Sequence, residues 1–124
     1  MEKILILFIF LIIIFFGFQC GKNRTVPDHL IGVWKTSEPK YEDRFFEIDR
    51  STITFGIGGG NFDTHPIINI EIEKVAETKG HLYTIYYKDR EGQKFKFSFY
   101  YHPADHGMIR FKNQDQIVWT KEKK

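Results

Sequence analysis

The stretch Lys94-Phe95-Lys96-Phe97-Ser98-Phe99-Tyr100-Tyr101 alternates a large ring with a polar neighbour along most of its length, and Ile68-Asn69-Ile70-Glu71-Ile72-Glu73 repeats the pattern with isoleucine. A period of two puts alternate side chains on opposite faces of an extended chain, so each segment reads as a strand with one buried and one wet face. No helical stripe of comparable length follows His29. Similar segments occupy residues 32–36, 43–48, 52–57, 67–76, 81–88, 94–101, 108–112 and 116–121.

The links between most of these segments are short and rich in turn residues: 49–51, 78–80, 89–92, 103–107 and 113–115. A parallel crossover needs a dozen or more residues, so links of this length join antiparallel neighbours. Eight such strands can hide one apolar face by closing into a barrel or by folding into two packed sheets. Unbroken next-neighbour hairpins favour the barrel, which also removes exposed edges. The expected fold is all-β, an eight-stranded antiparallel up-and-down barrel preceded by an apolar amino-terminal segment.

Following the apolar phase, the inward set is Trp34, Phe46, Ile48, Ile53, Phe55, Ile57, Ile68, Ile70, Ile72, Tyr83, Ile85, Tyr87, Phe95, Phe97, Phe99, Tyr101, Ile109, Phe111, Ile117 and Trp119. An eight-stranded barrel is just wide enough to be filled by side chains or to hold one small ligand, and so many rings argue for a mostly filled interior. A binding site is then expected at a mouth, beside the longest link, residues 58–66. In that link Phe62, Asp63 and His65 are the candidates for contact with a partner or ligand. Gly56, Gly58, Gly59 and Gly60 look superficially like a phosphate loop, but a strand follows them where a helix amino terminus is required.

The amino terminus is of another kind. Residues 4–18 form an apolar run after Lys3, and it ends at Gln19-Cys20-Gly21. Fifteen or so residues suit a signal-peptide core and fall short of the roughly 20 that span a bilayer comfortably. Cys20 is the single cysteine of the 124-residue chain, so no intramolecular disulfide can form. The arrangement resembles the lipobox of bacterial lipoproteins, in which the cysteine thiol is acylated and becomes the new amino terminus. That resemblance implies a signal peptide at 1–19, a lipidated Cys20 with a tether at 20–28, and a domain at 29–124 outside the cytoplasm. Gly21 after the cysteine implies outer-membrane rather than inner-membrane sorting in an organism with both. An uncleaved signal anchor with an incidental thiol, and plain secretion, are the alternatives.

Leu30-Ile31-Gly32-Val33-Trp34 resembles the Gly-x-Trp opening of lipocalin-like (calycin-type) barrels. The resemblance implies that Trp34 plugs one end of the barrel and packs against a basic residue of a late strand, here Lys121. The ring pattern is also similar to that of small uncharacterised bacterial lipoproteins with such a domain.

Hydrophobic residues at 42% and charged residues at 27% fit one globular domain. The net charge of +2 is spread along the chain, without the concentrated basic face that nucleic-acid binding uses. His102, Asp105 and His106 sit in a turn, with too few strong ligands nearby for a metal. Ser37, Ser51 and Ser98 lack a nucleophile's setting, and Glu71 and Glu73 share a solvated face with no cleft. Neither catalytic residues, a metal nor a cofactor is expected. The sequence therefore points to a membrane-tethered, non-enzymatic binding protein of the cell envelope, its ligand a small hydrophobic molecule or a protein partner. Inhibition of a periplasmic or extracellular enzyme and a structural envelope role are the alternatives.

Overall fold

The computed structural model describes residues 25–75 and 80–123, apart from the side chain of Asp105. The expected signal peptide at 1–19, Cys20 and the start of the tether, and Thr78 and Lys79 of the β4–β5 link, lie outside the described residues. Eight strands follow in order: β1 (Gly32–Lys35), β2 (Phe45–Ile48), β3 (Thr52–Gly58), β4 (Asn61–Lys74), β5 (His81–Lys88), β6 (Lys94–His102), β7 (Met108–Phe111) and β8 (Gln114–Lys121). Each pairs antiparallel with the next and β8 returns to β1, closing an up-and-down barrel. The closing seam is short, Trp34 opposite Lys121 and Lys35 opposite Thr120, reinforced by the Glu122 N–H donating to the Val33 carbonyl at 2.7 Å.

The barrel is solid through its middle. Trp34, Phe46, Ile48, Ile53, Ile85, Phe99 and Ile109 are at most 1% exposed, so the interior is packed side chain rather than a calyx. Phe46 joins most of this core, lying 5.3 Å from Phe97, 5.6 Å from Phe111 and 5.4 Å from Trp119 between ring centroids. Rings packed at such distances favour tilted and edge-on arrangements, and the angles of 77°, 53° and 58° follow that rule.

Three features depart from the sequence reading. Residues 61–66 are strand rather than loop: Gly59 and Gly60 both take positive φ, 65° and 79°, which makes a two-residue turn whose twist matches a hairpin. β3 and β4 therefore pair directly, with Phe62 opposite Gly56, Asp63 opposite Phe55 and His65 opposite Ile53. Second, the β4–β5 register shifts between Ile67 and Asn69, so Ile67 rather than Ile68 packs on the core. An extra residue at a bulge reverses the face of everything before it, which strict alternation cannot anticipate. Third, Ile57, Ile72 and Phe95 are 50%, 52% and 43% exposed, although the alternation assigns them inward. They stand where strands run past the filled core. Ile72 lies on the half of β4 beyond Pro66, the last residue paired with β3. Phe95 stacks on Tyr87 near the β5–β6 turn, and Ile57 sits at the irregularity before the β3–β4 turn.

The two ends of the barrel differ. A 3₁₀ turn, Asp28–Leu30, precedes β1 and caps the end at which β4 finishes and β5 begins; Leu30 from this turn and Val26 just before it are buried in the core. The opposite end carries the β3–β4 turn, the β5–β6 turn and a second 3₁₀ turn, Pro39–Tyr41.

Candidate functional site

At the capped end the plug is built around Trp34. Its indole N–H donates to the Leu30 carbonyl at 3.0 Å, which ties the strand to the 3₁₀ turn four residues before it. The Lys121 ammonium lies 5.4 Å from the Trp34 ring centroid and donates to the His29 carbonyl at 2.9 Å. A cation over an indole face is attracted by the ring quadrupole, so this lysine fastens β8 to both the ring and the plug. Burial lowers the Lys121 pKa from its ordinary value.

Beside this plug lies an open groove of about 600 Å³, lined by His29, Lys74, Val75, Gly80, His81, Tyr83, Tyr101, His102 and Pro103. Its walls come from the ends of β4, β5 and β6, because β4 continues past its pairing with β3 and leaves the inner face of that sheet uncovered. The lining is mainly apolar, and Tyr83, Tyr101, Val75 and Pro103 are among the residues that form it. Gly80 is required here: it takes φ +80°, and a Cβ on it would strike the Tyr101 carbonyl oxygen. Only glycine adopts such a conformation freely and lets β6 approach this closely.

The floor has a fixed polar group. His29 Nε2 and the Tyr83 hydroxyl are 2.9 Å apart, and the His29 ring lies 4.6 Å from that of Tyr101. Burial lowers the His29 pKa, and electrostatic interaction with Lys121 and His81 lowers it further against a weaker opposing effect of Asp28. Burial raises the pKa of both Tyr83 and Tyr101, so both are neutral hydroxyls at neutral pH. Asp28 is directed elsewhere, its carboxylate 3.7 Å from the Arg50 guanidinium.

The opposite end holds a smaller recess of about 220 Å³ over Phe46, Phe55, Phe97, Phe111 and Trp119. Gln114 Nε2 donates to the Tyr41 hydroxyl at 3.1 Å across it, so the 3₁₀ turn folds over the mouth. The Trp119 indole N–H is buried with no hydrogen-bond partner among the described residues.

Of the residues singled out from the sequence, Trp34 and Lys121 lie together, the ammonium over the indole ring. Phe62 is 63% exposed on β4. His65 lies partly buried with its ring 5.1 Å from Tyr87, and Asp63 is exposed opposite Phe55. These three belong to the end away from the groove. His29, His81 and His102, scattered in sequence, are brought onto one groove. Their only sequence signal was position: each falls beside a strand end or a link on the same side of an up-and-down barrel. Among the described residues no group of three His, Cys, Asp or Glu could hold a metal ion, and no helix is long and apolar enough to cross a membrane. Comparison with known proteins finds no matching family model, no matching curated protein and no matching solved structure.

Proposed function

We propose that this chain is a membrane-tethered, non-enzymatic binding protein of the cell envelope, of lipocalin-like plan, which holds a small apolar ligand in the groove at its capped end. The observation that carries the reading is the contrast between a filled barrel interior and an apolar-walled groove of about 600 Å³ outside it. Ligand sites are commonly concave, about 300–1,000 Å³, mainly apolar and furnished with a few fixed polar groups. The His29–Tyr83 pair is such a group.

The tether supports the same end of the molecule. Val26 and Leu30 are buried in the core on either side of His29, which lines the groove, and Cys20 precedes Thr25 by five residues, at most about 18 Å of extended chain. Lipidation at Cys20 would hold the capped end towards the bilayer, from which an apolar ligand is supplied. Two measurements test this. Metabolic labelling with an alkynyl fatty acid should mark the chain and be lost in Cys20→Ala; label unchanged by the substitution defeats the anchor. Native mass spectrometry of the chain purified from membranes should show a co-purified small molecule, and a consistently bare protein defeats the binding role.

A further inference from the structure

The net charge of +2 is spread along the sequence, but the barrel sorts it by wall. Phe46, Phe55, Tyr83 and Phe99 pack on the core, so the residues that alternate with them face outward. On β5 to β7 the outward positions include Lys88, Lys94, Lys96 and Arg110, with Lys112 just past β7, and no Asp or Glu. On β2 to β4 they include Glu47, Glu71 and Glu73, and no Lys or Arg. Where the two walls meet, the Tyr86 hydroxyl donates to the Glu71 carboxylate at 3.1 Å.

The basic wall is not explained by the fold. Lys88 stands opposite Lys94, and like charges directly opposite destabilise a strand pair. None of the five cations forms an ion pair among the described residues. Asp89, in the turn beyond Lys88, instead accepts from the N–H groups of Glu91 and Gln93 at 3.0 and 2.8 Å. The β4–β5 link meets β5 at His81, about 23 Å of strand away from Lys88. Lys94, Lys96 and Lys112 are exposed, and Lys88 and Arg110 partly so.

We propose that this wall docks on the anionic phospholipid headgroups of the bilayer that carries the chain. The inference rests on the proposed tether and is independent of the groove. Clusters of about 4–8 basic residues held beside a membrane bind its anionic lipids, with an attraction that fades within a Debye length, about 8 Å at physiological salt. A reach of at most about 18 Å from Cys20 to Thr25 brings the wall into that range without the entropic cost of association from solution. The acidic wall of a second copy is a poorer occupant, because joining unlike walls makes a head-to-tail contact that does not close.

The test places the full chain in nanodiscs of phosphatidylcholine, alone or with about 30% phosphatidylglycerol, each doped with a gadolinium-chelating lipid. With phosphatidylglycerol, paramagnetic broadening is expected at the amides of Lys88, Lys94 and Lys96 and not at those of Glu47 and Thr54. The contrast should vanish in phosphatidylcholine alone and in about 0.5 M salt. Lys94→Gln and Lys96→Gln, at exposed positions, should each lower the ratio of docked to free barrel about fivefold, whereas Lys40→Gln, an equal charge change at the opposite mouth, should leave it unaltered. Broadening that is the same in both lipids, or that falls on β2 and β3, overturns the basic wall while leaving the tether in place. A chain that does not stay with the discs overturns the tether and the docking together.

Discussion

Replacing Trp34 by alanine tests the plug from which the groove is built. Trp34 is fully buried, its N–H is bonded to the Leu30 carbonyl and Lys121 lies over its ring. Truncating a buried tryptophan costs about 3–5 kcal/mol in transfer and cavity terms. The lost hydrogen bond adds about 1 kcal/mol, and the cation–π contact about 0.5–1 kcal/mol. The expected loss is roughly 5 kcal/mol, comparable with the whole stability of a marginal domain, about 5–15 kcal/mol. Trp34→Phe keeps a ring but leaves the Leu30 carbonyl unpaired, and should cost about 1–3 kcal/mol. Urea unfolding followed by the fluorescence of Trp119 measures both. A double-mutant cycle with Lys121→Met should return a coupling of about 0.5–1 kcal/mol. A loss below about 2 kcal/mol for Trp34→Ala would refute the reasoning, because no fully buried, bonded indole could then stand at that position.

Ile85→Ala, at a position with no exposure, should cost about 2–5 kcal/mol, while Ile72→Ala, half exposed past the barrel rim, should stay within about 1 kcal/mol; equal costs in urea unfolding would contradict the register. Gly80→Ala places a Cβ against the Tyr101 carbonyl at φ +80° and should cost about 2–4 kcal/mol, measured by thermal unfolding. His29 has its pKa held below the ordinary 6.5, so just under that pH the unfolded chain binds more protons than the folded one. The stability from this group is complete above about pH 6.5 and falls as the pH drops towards the lowered folded value; His29→Gln should flatten this part of a pH–stability curve, and an unchanged slope would count against a partly desolvated imidazole held neutral beside Tyr83.

The barrel was readable because its determinants are local. Phe95, Phe97 and Phe99 alternate with polar residues, and the turns between strands are too short for anything but antiparallel neighbours. What escaped depends on pairing between distant residues. The bulge at 67–69 is set by the partner strand β5, so Ile67 and Ile68 cannot be told apart along the chain alone. The stretch from Phe62 to Pro66 looks like loop because Gly59, Gly60 and Pro66 are read as one cluster of breakers. Pro66 is tolerated in β4 at the limit of β3 pairing, opposite Thr52. The groove was illegible for the same reason. It exists because β4 outruns β3, and it gathers His29, His81 and His102 from three elements.

The most direct test of a ligand site at the capped end is the set of intermolecular NOEs between a titrated palmitate probe and the isotope-labelled full chain in nanodiscs. The account predicts contacts to the rings of Tyr83 and Tyr101 and to Val75, with shifts at His29 and His81. Contacts instead to Phe55, Phe97 and Phe111 at the opposite mouth, or none at saturating probe, would contradict it.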